Sequence, residues 1–185
     1  MLFQVMAVIV LMIFYGIYFT KMLMQRRKGI QTNQLIKGKL NLIELLMTVS
    51  TVSIVIIQLG SIIINWSLLP SSARFTGFIL SMMGNSFFLI SVVTMKDSWR
   101  AGIPTEDQTE LVSEGIYKYS RNPAFVGFDL MYIGMCLLFC NILMIIFTIF
   151  TIIMLDLQIR QEEKYLVKRF GDKYLKYRQS VRRYL

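Results

Sequence analysis

Long apolar segments separated by short polar, basic stretches make up most of the chain. The first three are residues 2–24, 45–66 and 75–94. Each is close to the roughly 20 residues that a helix needs to cross a bilayer core of about 30 Å. A fourth apolar block, 123–155, is too long for one crossing and contains Asn141 near its middle. Two helices in a hairpin that turns at about residues 140–142 fit this block better than one helix.

The polar stretch after the hairpin completes the predicted fold. Residues 158–185 alternate apolar and charged positions in the manner of an amphipathic helix, and Gly171 is expected to divide this helix in two. The sequence therefore predicts an all-α integral membrane protein with five transmembrane helices and a C-terminal amphipathic helix. We expect a single domain over residues 1–185, with three spans in 1–95 and a polar loop, the hairpin and the tail helix in 96–185.

Charge predicts the orientation of these helices. The chain has 20 Lys and Arg against 11 Asp and Glu and a net charge of +9. Nearly all of this basic charge lies in residues 21–39, 96–121 and 160–185, which five spans would place on one side of the membrane. The positive-inside rule makes that side cytoplasmic, so we expect the N-terminus outside and both the loop 96–122 and the C-terminus in the cytoplasm. Because the charge adjoins spans, lipid headgroups are its expected partner and nucleic acid is not.

The charge around the first apolar segment and the rare residue types indicate whether the chain has a cleaved signal peptide or a zinc site. No basic residue precedes the first apolar segment and three follow it at residues 26–28, which predicts a retained helix and not a cleaved signal peptide. The chain has no His, and its two cysteines, Cys136 and Cys140, lie inside an apolar segment. No zinc site is predicted from these residues, and we interpret the cysteines as packed side chains.

The polar stretch LVSEGIYKYSRNPAFVG, residues 111–127, is the main candidate for a binding site. Pro123 at the first helical position leaves free backbone amides, which favour a carboxylate or another anion. Arg121 adds a planar cation, Gly115 permits a sharp turn, and Tyr117 offers an aromatic wall. These features predict a site for a zwitterionic ligand.

Acidic residues in unusual positions are the second candidate. Glu163 shares a helix face with Ile159, Leu166 and Phe170, and Glu162 lies beside it. They are either a solvated turn below the membrane or partly buried acids paired with a cationic ligand or Arg121. Asp129 lies deep in an apolar span, where an acid either packs with internal hydrogen bonds or faces a functional cavity.

A stripe of small residues on the third span indicates close helix packing. Its members are Gly77, Ser81, Gly84 and Asn85. Small side chains at this spacing let neighbouring helices approach closely. Packing is the interpretation that we adopt for the stripe.

Several motifs follow one another in the second half of the chain. They are Gly115-x-Tyr117-x-x-x-Arg121-Asn122-Pro123-x-Phe125-x-Gly127, then an apolar hairpin, Glu162-Glu163, and Arg169-Phe170-Gly171-Asp172-x-Tyr174-x-x-Tyr177. In this order they resemble the isoprenylcysteine carboxyl methyltransferase family, which is related to phospholipid methyltransferases. The family commonly has Arg-His-Pro-x-Tyr where this chain has Asn122 and Phe125. The resemblance covers about residues 99–183.

This resemblance implies an S-adenosylmethionine-dependent methyltransferase acting on a lipophilic acceptor that enters from the bilayer. The preferred acceptor is a carboxylate of the isoprenylcysteine type. A lipid-amine N-methyltransferase and a non-catalytic membrane carrier or assembly protein are the alternatives. The implied cofactor contacts are Leu111, Val112, Gly115, Tyr117, Arg121, Asn122, Pro123, Phe125, Gly127, Glu162 and Glu163. The implied acceptor contacts are Trp99, Arg100, Asp129 and Tyr132, and the implied catalytic residues are Arg121, Asp129 and Glu163.

Overall fold

Six α-helices form the described part of the protein. A computed structural model describes residues 1–30, 42–100 and 110–185. The helices are α1 Leu2–Arg27, α2 Leu42–Ile64, α3 Ser71–Met95, α4 Pro123–Leu138, α5 Ile142–Phe170 and α6 Asp172–Ser180. Short 3₁₀ turns lie between α3 and α4, at Lys96–Ser98 and Gly115–Lys118. Within the described ranges there is no strand, so the predicted all-α class is confirmed.

The helix ends follow local chemistry. Pro70 precedes α3 in an extended conformation, and α5 ends at Gly171, whose φ of +52° suits glycine. Between α4 and α5, the Asn141 side chain accepts a hydrogen bond from the Met144 amide at 3.0 Å and so caps α5. The predicted break in the fourth apolar block and the predicted helix end at Gly171 are both confirmed.

Within the described ranges, four helices are long and apolar enough to cross a membrane. They are Leu2–Arg27, Leu45–Ile64, Ser71–Ser98 and Ile142–Phe170. The fifth apolar helix, α4, has 16 residues and is therefore only about 24 Å long at about 1.5 Å per residue. The second arm of the hairpin is longer than we expected, because α5 continues without a break from the apolar block through Glu162 and Glu163.

Contacts between helix ends show that the helices alternate in direction. At one end of the bundle, Lys28 after α1 forms a 2.7 Å ion pair with Asp97 after α3. At the other end, the Gln4 side chain donates to the Ile62 carbonyl of α2, and the Leu68 amide donates to the Cys140 carbonyl between α4 and α5. The N-terminus of α4 and the polar half of α5 therefore lie at the same end as Lys28, which we call the basic end.

The closest helix pair is α3 with α4, and glycines make it possible. A Cβ on Gly84 would lie 2.6 Å from the Gly127 carbonyl oxygen, and a Cβ on Gly77 would lie 2.6 Å from that of Gly134. No real side chain fits at such distances, so the two backbones are in direct contact. The packing role predicted for the small-residue stripe is confirmed, and it fixes the position of the N-terminus of α4.

Aromatic side chains fill the core between α1, α3 and α4. The Phe88 ring lies 5.0 Å from Phe14, 4.8 Å from Phe128 and 6.0 Å from Trp99, between ring centroids. Trp99 is 4% exposed, and its carbonyl accepts a 2.9 Å hydrogen bond from the buried Gln25 of α1. This core extends to the basic end, where it meets the polar loop.

Candidate active site

A tight turn positions the start of the polar loop. Gly115 has a φ of +57°, and a Cβ there would lie 3.0 Å from Thr94 Cγ2, so both the turn and the packing favour glycine. The turn buries Tyr117, whose carbonyl accepts a 2.6 Å hydrogen bond from the Tyr177 hydroxyl of α6. Burial raises the pKa of Tyr177 to about 12. Its phenol is therefore protonated at neutral pH and ties α6 to the loop.

Arg121 joins the loop to α5 and to the segment after α6. Its Nη2 and Nε donate to Glu163 Oε1 at 2.7 and 3.2 Å, and its Nη1 donates to the carbonyls of Arg178 and Val181. The two side chains of the ion pair are only 8% and 6% exposed. The sequence analysis predicted that Arg121 could pair with the two acids, and the structure pairs it with Glu163. Most N–H groups of the Arg121 guanidinium therefore donate to acceptors within the protein.

Residues 181–185 lie across the N-terminus of α4. Arg183 Nη2 donates to Glu163 Oε2 at 2.7 Å, and this hydrogen bond raises the pKa of Arg183. The Arg183 carbonyl accepts hydrogen bonds from the Asn122 amide at 3.1 Å and the Ser120 hydroxyl at 3.3 Å. The charge of Arg183 is therefore held in an ion pair with a buried acid.

A cavity of about 130 Å³ lies where these elements meet. Nine of its lining residues were predicted as site residues: Trp99, Arg100, Leu111, Val112, Tyr117, Arg121, Asn122, Phe125 and Glu162. The structure thus brings together the loop before α4, the N-terminus of α4 and the polar half of α5. We call this cavity the loop cavity.

The two adjacent acids of α5 have different surroundings. Glu162 lines the loop cavity with Leu166 and Phe170, one and two turns further along the helix. Its Oε1 accepts a 2.9 Å hydrogen bond from the Gln158 side chain. Glu163 is not among the residues that line the loop cavity, although the sequence analysis placed it on the face of Leu166 and Phe170.

Five other predicted site residues are not among the lining residues of the cavity. They are Gly115, Pro123, Gly127, Asp129 and Tyr132. Gly127 packs against Gly84 in the α3–α4 contact. Tyr132 is buried in the aromatic core, 6.4 Å from Phe14 between ring centroids. Asp129 has a buried Oδ1 atom with no hydrogen-bond partner among the described residues.

Sequence reasoning missed the other nine lining residues. They are Met95, Ser98, Glu110, Ala124, Tyr165, Leu166, Phe170, Tyr174 and Tyr177. A signal for four of them was present, because Leu166 and Phe170 share the helix face of Glu163, and Phe170, Tyr174 and Tyr177 belong to the motif that follows it. None of the four was predicted as a site residue, and only the fold shows that they form a wall of the cavity.

The chemistry of the lining suits S-adenosylmethionine. The N-terminus of α4 has no side-chain cap, so the amides of Ala124 and Phe125 remain available for a carboxylate. Glu162 offers an acceptor for an ammonium or hydroxyl group, and aromatic rings offer flat surfaces for a base. At about 130 Å³, the loop cavity is smaller than the roughly 300–1,000 Å³ of typical ligand sites. To accommodate S-adenosylmethionine, the lining side chains must therefore move, or part of the ligand must extend beyond the cavity.

Comparisons with known proteins converge on one family. The sequence pattern of the isoprenylcysteine carboxyl methyltransferase family matches residues 77–168. Protein-S-isoprenylcysteine O-methyltransferase of Saccharomyces cerevisiae is 31% identical over 122 residues, which are 64% of this chain and 51% of the yeast protein. The enzyme of the same name from Schizosaccharomyces pombe is 39% identical over 72 residues, which are 38% of this chain and 30% of that protein.

A solved structure shares the fold. The eukaryotic intramembrane Ras methyltransferase ICMT (isoprenylcysteine carboxyl methyltransferase) superposes with a TM-score of 0.59 at 20% identity, over 87% of this chain and 58% of that one. The matched part of the chain spans about half the length of the Saccharomyces cerevisiae relative. The family match includes the loop, α4 and most of α5, where the loop cavity lies.

Proposed function

We propose that this chain, which belongs to the isoprenylcysteine carboxyl methyltransferase family, transfers a methyl group from S-adenosylmethionine to the carboxylate of a lipophilic, isoprenylcysteine-type acceptor. The observation that carries the proposal is the loop cavity. It combines an uncapped helix N-terminus, an acidic side chain and aromatic walls at the basic end of a membrane bundle. The family match covers the loop, the α4 N-terminus and Glu162, and it ends before α6.

The proposed cofactor contacts follow from the lining. The amides of Ala124 and Phe125 would bind the carboxylate of the cofactor, and Glu162 would bind its ammonium or a hydroxyl group. Leu111, Val112, Tyr117 and Asn122 complete the walls. Arg121 and Glu163 have a different task in this scheme. Their buried ion pair holds the loop against α5, so we assign them to positioning the site.

The proposed reaction requires little proton transfer by the protein. When bound, S-adenosylmethionine supplies an electrophilic methyl group on a sulfonium, and a carboxylate acceptor is already ionised at neutral pH. The protein must align the two reactants and exclude water, which is catalysis by proximity and electrostatics. The absence of His from the chain is compatible with such a reaction.

The acceptor would reach the loop cavity through its apolar side. Trp99 and Phe125 belong both to the cavity lining and to the aromatic core between α1, α3 and α4. A lipophilic chain that lies along this core would present its polar end beside the α4 N-terminus. We assign acceptor contacts to Trp99 and Arg100 on the cavity side and to Asp129 and Tyr132 on the core side.

Membrane topology forms part of the proposal. We infer that α4 acts as a fifth, short span, because its ends lie at opposite ends of the helix bundle. The N-terminus would then lie outside, and the loop 96–122, α6 and the C-terminus would lie in the cytoplasm, where a soluble cofactor reaches the loop cavity. The support is the positive-inside rule applied to the basic end.

Titration of the purified protein with S-adenosylmethionine tests the cofactor assignment. We expect saturable binding that weakens about tenfold in Glu162→Gln, as is typical of losing one charge-assisted hydrogen bond. Lys168→Gln, an exposed position of the same helix outside the cavity, is the matched control. Absence of binding, or equal binding by both variants, would contradict the assignment and favour a non-catalytic membrane protein.

A second candidate function is N-methylation of a lipid amine. The observation that favours it is Asp129, whose buried Oδ1 has no partner among the described residues and could accept a proton from an amine. Incubation with labelled donor and either prenylated cysteine or membrane lipids separates the two candidates. Label in the prenylcysteine ester supports our proposal, and label confined to lipid amines refutes it.

A further inference from the structure

A second cavity, of about 500 Å³, lies on the other side of α5. Its lining residues are Arg160, Glu163, Lys164, Val167, Arg178 and Arg183. At about 100° per residue, the α5 members of this set lie on the face roughly opposite Glu162 and Leu166, which line the loop cavity. The two cavities are therefore separate, and we call the second one the basic cavity.

The basic cavity has an excess of positive charge. Two of its four cations are in ion pairs: Arg160 Nε with Asp156 Oδ2 at 2.6 Å, and Arg183 Nη2 with Glu163 Oε2 at 2.7 Å. Lys164 and Arg178 are exposed and form no ion pair within the part of the chain that the structure describes. Two cations without a counter-charge are thus held beside two whose guanidinium groups present further N–H donors.

The position of the basic cavity indicates its ligand. Residues 142–159 of α5 are apolar apart from Thr148, Thr151, Asp156 and Gln158, and frequent charge begins at Arg160. In a membrane-spanning helix this transition lies at the level of the lipid headgroups. Basic pockets at that level bind anionic headgroups, and arginine matches the oxygens of a phosphate with paired N–H donors.

We propose that the basic cavity binds the phosphate group of an anionic membrane lipid, through Arg160, Lys164, Arg178 and Arg183. A lipid headgroup and free inorganic phosphate share this chemistry. We assign the lipid because the cavity begins where the apolar part of α5 ends. The proposal does not depend on the methyltransferase assignment, since binding is measured without turnover.

The test compares three probes on the purified full chain in a neutral detergent: short-chain phosphatidylglycerol, short-chain phosphatidylcholine and inorganic phosphate. The variant is Lys164→Gln/Arg178→Gln. Its matched control is Lys168→Gln/Lys176→Gln, which removes the same charge from exposed positions of the same two helices outside the cavity. Thermal unfolding of both variants shows whether each is folded, and Lys164→Gln alone serves if the double variant is not.

We expect saturable binding of phosphatidylglycerol that the cavity variant weakens at least about fivefold and the control leaves nearly unchanged, since each basic residue near an anionic lipid contributes about 1 kcal/mol. Equal weakening by both variants would show a general charge effect and overturn the proposal. Equal binding of phosphatidylcholine, or no saturable binding of phosphatidylglycerol, would overturn it as well. Tighter binding of inorganic phosphate than of phosphatidylglycerol would show that the cavity binds free phosphate and not a lipid, and would also overturn the proposal.

Discussion

At the scale of single residues, the adjacent acids Glu162 and Glu163 have different roles. We assign Glu162 to ligand binding and Glu163 to support of the site. Glu162 lines the loop cavity. Glu163 binds Arg121 on one oxygen and Arg183 on the other, at 2.7 Å each. Removal of one partner from a buried ion pair leaves the other charge unpaired, which is costly. The two acids should therefore respond differently to the same isosteric change.

We expect Glu163→Gln to lower the free energy of unfolding by about 3 kcal/mol, the low end of the cost of breaking a buried pair, because Arg121 and Arg183 lose their counter-charge. Glu162→Gln should change it by much less while weakening S-adenosylmethionine binding. Thermal unfolding in detergent and cofactor titration measure the two effects. Equal destabilisation by the two substitutions would show that the acids do not have separate roles.

Asn122 stands where the family commonly has His. Its side-chain amide donates a 3.1 Å hydrogen bond to the Arg183 carbonyl, and a neutral imidazole N–H can donate a similar bond. We therefore expect Asn122→His to keep most of the cofactor affinity and Asn122→Ala to lose it, by about fivefold for one net hydrogen bond of about 1 kcal/mol. A His variant as weak as the Ala variant would contradict a donor role for Asn122.

At the scale of helices, the α3–α4 contact connects membrane packing to the loop cavity. The Gly84–Gly127 and Gly77–Gly134 approaches fix α4 against α3, and α4 begins at Pro123 beside the cavity. A side chain in this contact would displace the whole of α4 from α3. Packing inside the membrane should therefore affect cofactor binding at the basic end.

Gly84→Ala tests this connection. Its Cβ would meet backbone atoms at 2.6 Å, and overpacking of this kind typically costs about 1–3 kcal/mol, so we expect a lower unfolding temperature and weaker S-adenosylmethionine binding. The control is Gly60→Ala in α2, where a Cβ would have no other atom within 4 Å and alanine favours the helix by about 1 kcal/mol. Similar losses in both variants would argue against a specific α3–α4 contact.

At the scale of the whole molecule, alternating helices bring one described residue from each of three basic stretches to the same end. Arg121, Arg183 and Lys28 all lie at that end, and the α2–α3 and α4–α5 connections lie at the other. The loop cavity and the basic cavity both open at the basic end. A membrane around the bundle would thus present both cavities to one compartment.

Cysteine labelling tests the proposed topology. In a Cys136→Ser/Cys140→Ser background, we expect Tyr119→Cys to react with an impermeant maleimide only from the cytoplasmic side and Leu68→Cys only from the opposite side. Both positions are well exposed, at 73% and 61%. Labelling of both from one side would contradict a bundle in which α3 crosses the membrane between them.

The sequence by itself determined the helices, most of their ends and many members of the site. Length and apolarity specify spans, Gly171 and Asn141 specify helix ends, and nine predicted residues line the loop cavity, because these signals are local. Tertiary structure decided what no local pattern encodes. Helical spacing allows either Glu162 or Glu163 to face Leu166, and only the packing of α5 against the loop selects Glu162. The partnership of Arg121, Glu163 and Arg183 likewise depends on residues 181–185 crossing α4, a contact between segments about 60 positions apart.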